Sequence, residues 1–127
     1  MEKDNRPVYL NLIAISLPVI GKISILHRIS GFALFLTFPF MVWFLSLSLR
    51  SEADFLNLGL MLQESLALKL MFLLVYSGFI YHLLAGIKKI LGDAFGIGET
   101  IKTGTIISWV VLMVSLIFII TYVLLFW

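Results

Sequence analysis

Residues 70–87 read LMFLLVYSGFIYHLLAGI, eighteen positions without a formally charged side chain, closed by Lys69 at one end and Lys88 at the other. A helix that crosses a bilayer needs about 20 apolar residues. The two lysines lengthen the run, because their stems lie along apolar surface while the ammonium reaches water. Two more runs flank it: 21 uncharged residues from Ile29 to Leu49, and 25 from Thr103 to Trp127. A closed barrel is the other way to span lipid, but it alternates apolar and polar positions, and these runs are unbroken. The pattern predicts an all-α integral membrane protein. It forms a single membrane domain over 1–127, with three transmembrane helices near 29–50, 66–91 and 105–126.

Composition agrees. Of 127 residues, 61% are hydrophobic, and the mean hydropathy is +1.12; soluble domains hold roughly 45–50% apolar residues on a similar count. There is no cysteine. That excludes an iron–sulfur cluster, a covalently attached c-type haem and a disulfide framework within the chain, so a redox cofactor must be held non-covalently. The net charge of +2 does not point to nucleic acid.

Pro39 interrupts the first span and predicts a kink. Trp43, Trp109, Tyr122 and Trp127 are candidate interface anchors. Ser51–Gln63 reads as a loop, and Gly92, Gly96, Gly98 and Thr100 mark a turn-rich second connection. Lys3 and Arg6 precede an apolar stretch, Val8–Ile20, which resembles a signal peptide but is broken by Asn11, Ser16 and Pro18 and lacks a small-x-small cleavage site. It reads as a retained interfacial segment leading into the first span. No Arg/Ser-rich presequence is evident, which favours a bacterial origin, or a mature or organelle-encoded chain.

Seven lysines and arginines fall on one side of a three-span layout: Lys3, Arg6, Lys22, Arg28, Lys88, Lys89 and Lys102. Arg50 and Lys69 fall on the other. The positive-inside rule puts the N-terminus and the second loop in the cytoplasm. His82 is six residues from Lys88, about 9 Å of helix, and thirteen from Lys69, about 20 Å. It sits in the cytoplasmic half of the membrane.

An ionisable side chain at membrane depth is a functional candidate. Gly78 and Gly86 flank His82 at i−4 and i+4 and share its face. A flat macrocycle ligated through the imidazole fits such a surface. A neutral histidine bonded to a neighbouring helix, with glycines for helix packing, also accounts for it. Ser24-Ile25-Leu26-His27-Arg28-Ile29-Ser30-Gly31 is the second constellation. At a helix start Ser24, His27, Arg28 and Gly31 share one face. Ser24 and Arg28 could donate to a quinone carbonyl, and Arg28 and His27 could meet haem propionates. The alternative is anchoring to lipid headgroups by basic residues at a helix mouth. Lys88 and Lys89 could neutralise propionates or serve topology alone, and Asp93 could pair with one of them. Tyr76 and Tyr81 read as packing residues. With two histidines, His27 at the membrane edge and His82 deeper, one iron bridged by both is poor geometry. A haem-ligating His82 then implies a second axial ligand from another chain and a heteromeric helical bundle.

SILHRISG at 24–31, preceded by Arg6-Pro7, together with HLLAGIKKILGD at 82–93, resembles the two signatures of the succinate dehydrogenase cytochrome b family, the membrane anchor of succinate:quinone oxidoreductase. The resemblance spans essentially the whole chain. It implies haem b with His82 as an axial ligand of the iron, His27, Arg28 and Lys88 near the propionates, and Ser24 and Arg28 lining a ubiquinone site. It implies as partners a second small anchor subunit that supplies the other axial histidine and shares the haem, an iron–sulfur subunit and a flavoprotein, with surrounding lipid. Such a subunit passes electrons to ubiquinone in an enzyme complex without itself carrying out succinate chemistry. Where the family usually has Arg-His, this chain has Lys88-Lys89. Lys88 keeps the charge without the guanidinium fork, and Lys89 offers no imidazole. The expected location is a bacterial inner membrane, or else a mitochondrial inner membrane. A haem-free structural anchor and a fumarate reductase anchor are the competing readings.

Overall fold

The computed structural model describes residues 17–127. The Lys3 and Arg6 charges and most of the expected interfacial segment, up to residue 16, lie outside the described residues. Four helices follow in order: α1 Val19–Ser48, α2 Glu52–Glu64, α3 Leu66–Phe95 and α4 Ile101–Phe126. Three of them, α1, α3 and α4, are long and apolar enough to cross a membrane. At 1.5 Å per residue the two 30-residue helices are about 45 Å long, so they project beyond the roughly 30 Å hydrocarbon layer. The middle one of the three, α3, is the spine: it packs against α1 on one side and α4 on the other.

The helices exceed the expected spans because charge does not end a helix; it only moves the lipid boundary. The first begins ten residues before Ile29, after Pro18, whose fixed φ suits a helix entrance. Lys22 and Arg28 therefore sit inside the helix. It continues without a break through Pro39. The third runs on to Phe95 and stops at Gly96, whose positive φ of 69° makes the left-handed cap. The fourth starts at Ile101, where the Thr100 hydroxyl accepts from the Thr103 amide at 3.1 Å.

One connection departs from expectation. Ser51–Gln63 is not a loop; most of it is α2. Ser51 caps that helix: its hydroxyl accepts from the Asp54 amide at 3.1 Å and donates to the Asp54 carboxylate at 2.8 Å. Asp54 and Glu52 also place negative charge in the first turn, where the helix dipole favours it.

The core is small and lies toward the end of the bundle bearing Lys22, Lys88 and Lys89. Ile23, Tyr81, Ala85 and Val111 form it, drawn from α1, α3 and α4. Tyr81 is more than packing: its hydroxyl donates to the Ile23 carbonyl at 2.8 Å and ties α3 to α1. Tyr76 stacks on Tyr122 with ring centres 4.4 Å apart, joining α3 to α4 toward the other end. Most remaining apolar side chains point outward, Phe35 at 73% and Leu124 at 80% exposure among them. In lipid that costs nothing, since acyl chains are as apolar as leucine.

Candidate functional site

Periodicity along α1 decides which residues meet α3. Ile23, His27, Ser30, Gly31 and Leu34 recur at helical spacing and are buried or half-buried, whereas Ser24 and Arg28 are exposed beside them. His27 and His82 consequently come together. Their rings stack, with centres 4.2 Å apart and planes 21° from parallel. The expected difference in depth between the two histidines does not hold. Because α1 starts at Val19, His27 is eight residues, about 12 Å, inside the helix.

The hydrogen bonds around His82 converge on one ring nitrogen. Nδ1 lies 3.1 Å from the His27 carbonyl and 3.1 Å from the Ser30 hydroxyl. That hydroxyl itself donates to the same carbonyl at 2.8 Å. A carbonyl only accepts, so Nδ1 carries a proton, and in the neutral ring the lone pair then falls on Nε2. This is the arrangement in which a metal-binding imidazole is oriented by a backbone carbonyl. Close approach makes it possible: a Cβ added to Gly31 would lie 2.7 Å from His82 Cε1. Ser30, 8% exposed, and Gly31 are thus part of the site. Their signal in the sequence is their place three and four residues after His27.

The glycines on the His82 face meet α1. A Cβ at Gly86 would sit 3.5 Å from His27 Nε2, and one at Gly78 would sit 3.8 Å from Leu34. They admit α1 side chains in the described chain, which is their packing role. His27 Nε2 is buried and, among the described residues, the one such side-chain atom without a hydrogen-bond partner. Leaving a polar atom so costs about 1–3 kcal/mol, which favours a polar partner absent from the chain itself.

Ser24, His27, Lys88 and Lys89 line one groove of about 500 Å³, together with Ala85, Gly98 and Glu99. Arg28 is exposed and stands outside its walls. Lys88 Nζ donates to Ser108 on α4 at 2.8 Å, and Lys89 pairs with Asp93 at 2.6 Å on the exposed flank. Ser108 was not evident from sequence; as one serine in an apolar run it carries no spacing signal.

A three-span helical membrane protein with a histidine pair and a lysine-bearing groove at one end is the class these features define. The chain matches the succinate dehydrogenase/fumarate reductase transmembrane subunit description over residues 2–122, and it belongs to that family. It is 37% identical to the succinate dehydrogenase cytochrome b556 subunit of Coxiella burnetii over 112 residues, 88% of this chain and 89% of the relative. The corresponding subunit of Rickettsia felis is 30% identical over 113 residues, 89% and 86% of the two chains. The cytochrome b560 subunit of Porphyra purpurea is 35% identical over 91 residues, 71% and 73%.

Proposed function

We propose that the chain is the haem b- and ubiquinone-binding membrane anchor of a succinate dehydrogenase, taking electrons from an iron–sulfur subunit. The observation that carries this is His82: Nδ1 is held by the His27 carbonyl, so Nε2 is left with its lone pair. Membership of a family whose relatives are named cytochromes b supports haem iron as the partner of that nitrogen. Haem, when bound, would supply a one-electron carrier. His27 Nε2, buried and without a partner, suits a propionate carboxylate, and Lys88 adds positive charge in the same groove. Lys89 is spent on Asp93.

Ubiquinone needs two electrons and two protons to become the quinol. Ser24 offers a hydroxyl in the groove wall, and Arg28, one turn on along α1, offers an exposed guanidinium outside those walls. Both donate to a carbonyl oxygen, whose negative charge grows as electrons arrive, so these bonds strengthen through the reaction. With the basic end in the bacterial cytoplasm, the groove faces the side from which the iron–sulfur and flavoprotein partners deliver electrons. The second axial histidine comes from a second small anchor subunit.

The test is a dithionite-reduced minus oxidised visible spectrum of the complex purified with its partners. The wild type shows b-type bands. His82→Leu loses them with the complex assembled, while Ser24→Ala and Arg28→Leu keep haem and lower quinone reduction by about 10–100-fold. A flat wild-type spectrum from an assembly that retains flavin and iron–sulfur signals would favour a haem-free anchor.

A further inference from the structure

We infer that Ser108 is a positioning residue for the haem environment: from beneath the groove it holds the Lys88 ammonium in place. This rests on the reading of the groove as the haem edge and extends it to a residue on α4. Three observations lead there. First, the two lysines at the end of α3 are held differently. Lys89 is neutralised by Asp93 at 2.6 Å, whereas the partner of Lys88 is a neutral hydroxyl at 2.8 Å. Of the two lysines, Lys88 is therefore the one whose own contact leaves its charge uncompensated. Second, Ser108 is 0% exposed and does not line the groove. It reaches the groove through Lys88. Its hydroxyl hydrogen is committed to the Gly104 carbonyl at 2.6 Å, which turns an oxygen lone pair toward Nζ.

Third, the backbone around Ser108 is built for close approach. A Cβ on Gly104 would lie 2.6 Å from the Gly98 carbonyl oxygen and 2.8 Å from Ile20 Cδ1. The start of α4 is pressed against the second connection and against α1, and Ser108 is one turn further in. A lysine is a flexible point charge with three rotatable donors. Without an acceptor at its tip it reaches for water or lipid phosphate. With Ser108 it stays beside His27 and Ala85. Ser108 supplies the fixed geometry that a lysine by itself lacks.

A fixed cation beside a haem favours the ferrous form, since that form carries one less positive charge. The experiment is a redox titration of the b-type absorbance in the purified complex. Lys88→Gln lowers the ferrous-to-ferric ratio at fixed potential by about tenfold, equal to about 59 mV for one electron. Ser108→Ala lowers it by about threefold, and Ser108→Thr, which keeps the hydroxyl, returns it to the wild-type value. The double variant behaves as Lys88→Gln alone, because Ser108 acts only through that charge. A purely structural tie between α3 and α4 would lower the melting temperature and leave the potential unmoved. A wild-type potential in Ser108→Ala, or in Lys88→Gln should Ser108→Ala fail to assemble, overturns the inference and leaves the haem assignment standing. Absence of haem bands in the wild-type complex overturns both.

Discussion

At the residue scale the histidine pair is governed by a missing side chain. Gly31 lets the His82 ring lie against α1, and the ring edge already occupies the place of a β-carbon, at 2.7 Å. Gly31→Ala must rotate the ring or part the helices. Overpacking of this kind costs about 1–3 kcal/mol. It also pulls Nδ1 from the His27 carbonyl and misdirects Nε2. The expected result is a complex with a lower melting temperature and a haem-to-flavin ratio well below that of wild type. Haem content equal to wild type would mean that His82 can be oriented without this contact. Ser30 is less exposed to such damage, since the His27 carbonyl still accepts from Nδ1 when the hydroxyl is absent.

At the element scale the register of α4 matters most. Gly104 meets a backbone oxygen, that of Gly98 at 2.6 Å, and backbone yields less than a side chain tip. Gly104→Ala therefore pushes α4 away from the second connection and from Ile20. The expected outcome is faster amide exchange at the start of α4, together with the same shift in haem potential as Ser108→Ala, since Ser108 moves with its helix. Unchanged exchange at 101–108 would show that the contact is soft. The same element shows how far a sequence speaks for itself. The three spans were legible because hydropathy and charge mark where lipid begins, yet those marks differ from where helices begin: α1 starts at Val19 with Lys22 and Arg28 inside it. The Ser51-to-Asp54 cap was also written in the chain, but the charges of Glu52 and Asp54 in its first turn made α2 read as a loop. His82 and the 24–31 stretch stood out through residue type and spacing. Their stacking did not, because it depends on how α1 slides along α3, and that is set by small residues such as Gly31 and Gly86 whose partners lie about fifty residues away.

At the scale of the whole molecule, the proposed haem site takes one axial nitrogen, that of His82, from the described residues. A metal–imidazole bond lies in the ring plane along the nitrogen lone pair. Stacked rings such as those of His27 and His82, 4.2 Å between centres and 21° from parallel, keep their lone pairs in separate, near-parallel planes, so a single iron is not held in line between them. His27 Nε2 is also buried against Gly86. The outward apolar surface, with Phe35 and Leu124 largely exposed, leaves ample room for another membrane chain to dock and contribute the opposite ligand. The prediction is made on the purified complex. His27→Leu keeps a low-spin, six-coordinate haem by electron paramagnetic resonance, with a shifted midpoint potential because the propionate contact is gone. His82→Leu removes that low-spin signal. A change from low to high spin in His27→Leu would make His27 an axial ligand, require its ring to leave the stack, and remove the need for a second histidine from the partner.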